Sequence, residues 1–62
     1  MTDEVAVLER ARLDSLRWHW GSAYEVSNPA PGRWVARRHS NGTVLTARSD
    51  AELRQKIRAD YR

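Results

Sequence analysis

The chain has no cysteine and no phenylalanine, only two prolines and three glycines, and no long apolar run among its 62 residues. Without cysteine there is neither a disulfide staple nor a thiolate metal site, and His19 and His39, two separated imidazoles, make a poor zinc site without sulfur. No metal and no cofactor is therefore expected. The first residues, Met1-Thr2-Asp3-Glu4, lack the basic start and apolar stretch of a secretory signal, and no segment is apolar enough to span a membrane. A cytoplasmic protein without disulfides and without a membrane partner is the expectation. Glycine-rich phosphate loops are missing, and His39 has no carboxylate or nucleophile at an inferable distance. The chain is thus read as non-catalytic, with no small-molecule substrate inferred.

What is present must stabilise a domain near the lower size limit for folding alone, by packing or by oligomerisation. Trp18, Trp20, Trp34, Tyr24 and Tyr61 supply large side chains that fill a small core from few positions. The net charge of +3 is unevenly spread. Residues 1 to 31 hold three arginines against five acids, net −2, whereas residues 32 to 62 hold eight basic groups against three acids, net +5. Ten of the eleven basic residues are arginine, which suits bidentate contact with phosphate, although a GC-rich genome raises arginine with no functional meaning.

Thr2 followed by Asp3 and Glu4 predicts a helix start, with a first helix over about residues 3 to 16. Its wheel gathers Asp3, Arg10, Asp14 and Arg17 on one side and Val5, Val7, Leu8, Ala11 and Leu16 over a broad apolar arc. Strands follow at about 23 to 27, 33 to 40 and 43 to 48. The first two are separated by the loop Asn28-Pro29-Ala30-Pro31-Gly32, and the last two by Asn41-Gly42, read as a two-residue type I′ hairpin. That turn pairs Ser40 with Thr43, Arg38 with Leu45, Ala36 with Ala47 and Trp34 with Ser49; a direct proline loop sets Val26 opposite Trp34 and Tyr24 opposite Ala36. One face then carries Trp34, Ala36, Leu45, Ala47, Val26 and Tyr24, and the other carries Arg33, Val35, Arg37, His39, Val44, Thr46 and Arg48. Ser49-x-x-Glu52 forms a capping box for a second helix over about 50 to 61, with Leu53, Ile57 and Tyr61 as its apolar stripe and Arg54, Arg58 and Arg62 as an adjacent row. The whole is an α+β single domain over residues 1 to 62: αβββα, a three-stranded antiparallel meander covered on one face by two helices.

Gly32-Arg33-Trp34-Val35-Ala36-Arg37-Arg38, then Thr43-Val44-Leu45-Thr46-Ala47, then Ser49-x-x-Glu52-Leu53 resembles the text of short actinobacterial proteins with no assigned activity. The resemblance spans roughly the last half of the chain and implies a bacterial cytoplasmic protein. The open face with Arg33, Arg37 and Arg48 is similar to the reading surface of integrase-type DNA-binding domains and their plant counterparts, in which a three-stranded sheet enters the major groove. The N-terminal helix departs from that pattern. Double-stranded-RNA-binding domains share the element order, but they meet phosphates with basic residues where this chain has Asp50 and Glu52. Small RNA-cleaving toxins also share it and carry a Gly-Ser-His type motif; Arg38-His39-Ser40 lacks the glycine before the histidine.

Two functional readings follow. In the first, Arg33, Arg37, His39, Thr46 and Arg48 bind nucleic acid, DNA in preference to RNA, with Arg54 and Arg58 as auxiliary phosphate contacts. In the second, the apolar arc around Val7 and Ala11 makes a homodimer or docks on a larger regulator. Trp18 and Trp20 offer a stacking surface or, on the simpler reading, belong to the core, and Arg38 near the turn extends its guanidinium to water.

Overall fold

The computed structural model describes the backbone of residues 4–61 and the side chains of residues 7–61. The expected caps Thr2 and Asp3, the side chain of Val5, and Arg62 lie outside the described residues. The order is α1 (Glu4–Trp20), β1 (Tyr24–Ala30), β2 (Arg33–Arg38), β3 (Val44–Ala47) and α2 (Asp50–Asp60). The strands form one antiparallel meander, β1-β2-β3, and both helices lie on the same face of it, α1 mainly on β1 and α2 on β3 and β2. This is the expected α+β architecture. No helix among the described residues is long and apolar enough to cross a membrane.

α1 ends four residues later than the tryptophan pattern suggested. Trp18-His19-Trp20 completes its last turn, where Arg17 and His19 face the negative end of the helix dipole. Helix continues until a residue can leave it, and that residue is Gly21. Its amide bonds the Arg17 carbonyl at 2.8 Å, and a Cβ at this position would stand 2.3 Å from that same oxygen.

β1 also runs on, through Asn28 and Pro29, which were expected to form loop. The pairing is irregular between Ser27 and Ala30, a bulge in which a proline without an N–H is tolerated. The Asn28 side-chain amide bridges it, donating to the carbonyls of Ala30 (3.0 Å) and Arg33 (2.7 Å). The turn itself is only Pro31-Gly32, with Gly32 at φ 71, the left-handed value that a type II turn requires after proline. Glu9 on α1 holds it by accepting from the Gly32 amide at 3.0 Å.

The second hairpin differs from a type I′ turn, which needs positive φ at both central residues: Gly42 has φ 73, but Asn41 does not. The strands close at Arg38 and Thr43, around the four-residue loop His39-Ser40-Asn41-Gly42, by Arg38 N–H to Thr43 O and Gly42 N–H to Arg38 O, both 2.8 Å. Asn41 accepts from the Thr43 amide at 2.9 Å, an Asx turn.

Both hairpins are therefore displaced by two residues from the expected register. Val26 lies opposite Ala36, Tyr24 opposite Arg38, Ala36 opposite Leu45 and Trp34 opposite Ala47. A shift of two is one full pleat, so no side chain changes face. Leu16, Tyr24, Val26, Trp34, Ala36, Ala47, Leu53 and Ile57 form the buried core, with Leu13, Trp20 and Leu45 against it. Ser49 caps α2 by accepting from the Glu52 amide at 3.1 Å. Glu52 supplies no second half of the capping box: its carboxylate turns instead to Lys56 at 3.4 Å. Asp50, almost buried, receives Arg12 at 2.9 Å and ties the two helices together.

Leu53→Ala, in the fully buried stripe, is expected to cost about 2–5 kcal/mol in urea unfolding. Gly42→Ala should cost about 1–2 kcal/mol from the left-handed backbone. Asn41→Ala, which loses only the Asx bond, should cost less than Gly42→Ala; a true type I′ turn would make both positions comparably sensitive.

Candidate nucleic-acid interface

Because the helices occupy one side of the sheet, the other is open, and the pleat of β2 sends Arg33, Val35 and Arg37 to it. Thr46 and Val44 of β3 and Glu25 and Ser27 of β1 share this face through their pairing with Val35 and Arg37. Arg33, Arg37, His39, Thr46 and Arg48 are all exposed. One step beyond the paired residues the same register sets Arg48 beside Arg33, at the proline-turn end of the sheet. Like charges set directly across a ladder repel.

The three ion pairs among the described residues join Arg12 to Asp50, Arg38 to Asp60 and Lys56 to Glu52. None involves Arg33, Arg37 or Arg48. Glu25 stands opposite Arg37 in the register, yet the two close no ion pair. Arg33, Arg48 and Thr46 line an open cleft of about 470 Å³ together with Gly32, Glu52 and Lys56. Lys56 was not singled out in the sequence as a contact residue. It reaches around the sheet edge, its ammonium donating to the Thr46 carbonyl, and stands at the mouth of the cleft. The signal for it was the Glu52/Lys56 spacing, which alone gives no direction relative to the sheet.

Arg54 and Arg58 are placed elsewhere. They project from the flank of α2 opposite Lys56, on the helix side of the molecule, and the fold does not bring them to the open face. His39 lies in the hairpin loop beyond the end of β2, away from the Arg33/Arg48 pair, its Nε2–H donating to the Gly21 carbonyl at 3.2 Å, and it lines a separate cleft with Ser22, Arg38 and Tyr61. Among the described residues no three of His, Asp and Glu gather into a group able to hold a metal ion.

Two expectations are corrected. Trp18 is not core: it is 86% exposed, because α1 continues through it and turns it outward, whereas Trp20 turns inward. Arg38 does not extend freely into water: half-buried on the core side of β2, its guanidinium donates through Nη1 to the Asp60 carbonyl at 3.2 Å and carboxylate at 3.4 Å. It lies 5.4 Å from the Tyr61 ring centroid and 6.0 Å from that of Tyr24. Tyr24 donates its hydroxyl to the same Asp60 carboxylate, and Trp20 meets both tyrosines edge to face. Arg38 is thereby tied into this aromatic corner by one ion pair and two ring contacts.

Compared with known proteins, the chain matches no family model, no curated protein and no solved structure.

The corner gives a pH test. Burial, then the hydrogen bond to Asp60, pushes the Tyr24 phenol up to about 12 from an ordinary value of 10.0. A raised folded value favours the protonated native state, so this contribution is complete below about pH 10 and is lost as pH rises toward about 12. Tyr24→Phe should flatten that part of the stability profile while lowering stability at neutral pH, measured by thermal unfolding at stepped pH.

Proposed function

We propose that this chain is a non-catalytic nucleic-acid-binding module that lays the open face of its sheet on a phosphate backbone. The observation carrying the reading is the cluster Arg33, Arg48 and Lys56 around one cleft, with Arg37 further along the same face, in which the three arginines have no ion-pair partner among the described residues. Arginine without an internal partner retains its fork of donors for phosphate or guanine edges. Thr46 adds a hydroxyl donor beside them.

The same face favours a duplex over a single strand. Single-strand binders stack bases on aromatic rings, and the open face carries Glu25, Ser27, Arg33, Val35, Arg37, Val44, Thr46 and Arg48, with no aromatic residue among them. DNA is favoured over double-stranded RNA because Asp50 and Glu52 occupy the start of α2, where phosphate contact would be repelled. The roles of Arg33, Arg37 and Arg48 are phosphate contacts; Lys56 and Thr46 support them from the β3 edge. Arg54 and Arg58 take no part.

Binding to random duplex DNA should fall steeply with salt, with a log–log slope of about −3 to −4 for three or four phosphate contacts. Arg33→Glu with Arg48→Glu should abolish binding and leave the fold intact, since both side chains are exposed. Arg54→Ala with Arg58→Ala should leave the slope unchanged. Absence of binding at about 50 mM salt, where non-specific affinity is ordinarily measurable, would rule the reading out.

A further inference from the structure

The outer surface of α1 is apolar in a way the fold does not use. Along the helix, Val7, Leu8, Ala11, Ser15 and Trp18 recur at intervals of three and four and occupy one stripe. Leu13, Leu16 and Trp20, the residues that meet the core, lie on the opposite side. Val7 is 59%, Leu8 56% and Trp18 86% exposed. An isolated exposed aliphatic needs no explanation, but a tryptophan aligned with two aliphatics on one helix face does.

We infer that this stripe is the contact surface for a second copy of the chain, with the two α1 helices antiparallel. Three features select that occupant. The first is size: the stripe is broad at its ends and narrow at its centre, so Trp18 of each copy lies over Val7 and Leu8 of the other, while Ala11 and Ser15 let the backbones approach at the crossing. The second is charge. Arg10 and Asp14 flank the stripe on one side, and neither closes an ion pair among the described residues. In an antiparallel two-fold arrangement the same flanks meet, so Arg10 faces Asp14 of the second copy twice over. On the other flank Arg12 is already held by Asp50 and brings no bare like charge to the contact.

The third is that the sheet edges are partly blocked against strand pairing with a copy. The free edge of β1 has its Val26 carbonyl taken by Arg17 Nε at 3.0 Å, and the free edge of β3 has its Thr46 carbonyl taken by Lys56. The open sheet face repels its own kind. A 17-residue helix laid along its copy buries on the order of 1,000 Å² in total, at the lower bound for a specific interface. The dimer is therefore expected at micromolar concentration, with ready exchange.

Sedimentation velocity of the purified chain without DNA, from micromolar to near-millimolar concentration, tests this apart from the nucleic-acid reading. The expected result is a species of twice the 7.2 kDa chain mass, growing with concentration. Trp18→Glu should shift the midpoint upward at least tenfold without altering the circular dichroism, because Trp18 makes no core contact. Arg10→Asp alone should weaken the dimer, and Arg10→Asp with Asp14→Arg should restore it. A monomer throughout, a dimer insensitive to Trp18→Glu, or a double swap that fails to restore association overturns the assignment. So does a monomer that instead co-sediments through Trp18 with phosphatidylserine vesicles.

Discussion

Burial of Trp34 at the centre of a three-stranded sheet is the interaction on which the rest of the fold depends. A domain this small has one sheet face to cover and few residues to cover it with. Trp34 and Ala36, next-but-one neighbours on β2, are both fully buried, and the helical residues Leu16, Leu53 and Ile57 complete the core they begin. The period of two in the strand then dictates the opposite outcome for Arg33 and Arg37. The exposed arginines are thus a geometric consequence of the buried tryptophan, and what remains to be accounted for is that they are arginines with no partner.

Polar bonds hold the periphery where the core is too small to reach. Glu9 anchors the proline turn, Arg12 and Asp50 join the helices, Arg17 and Lys56 seal the two sheet edges, and Asp60 gathers Tyr24 and Arg38 at the far corner. These residues are drawn from both helices, and several would pass in the sequence as solvated charge. The basic groups therefore divide into two populations. Arg12, Arg17, Arg38 and Lys56 bond inward to the protein, while Arg10, Arg33, Arg37, Arg48, Arg54 and Arg58 have no side-chain partner among the described residues. What sets Arg33, Arg37 and Arg48 apart within the second population is that they share one face of the sheet, with Lys56 beside them.

The element order, the two faces of the sheet and the capping serine were legible because each rests on a local rule: alternation, turn chemistry and the Ser49-x-x-Glu52 spacing. The registers were not, since a turn dipeptide names a turn without fixing how many residues it encloses. Asn41-Gly42 sits inside a four-residue loop, and the bulge at Asn28-Pro29 depends on an amide that satisfies two carbonyls at once. The faces survived this because both displacements equal a whole pleat. The extent of α1 was hidden by tryptophans that resemble strand residues and become helical only through continuity with the residues before them. Arg38 could not be placed from sequence either: its partners Asp60 and Tyr61 are more than twenty residues away, joined to it only by the packing of α2.

The open sheet face and the apolar stripe of α1 lie on opposite sides of the molecule. α1 presents its core side to the sheet and its apolar stripe directly away from it. Pairing through the stripe would stack sheet, helix, helix and sheet, with both basic faces outermost and pointing in opposite directions. Such a dimer could not grip one duplex with both faces, since a rigid rod cannot bend around so small a body at reasonable elastic cost. Each face would meet its own segment, and the assembly would act as a bridge between two. In a monomer the same arginines would do no more than coat a single segment, so the state of α1 decides what binding by the sheet can accomplish.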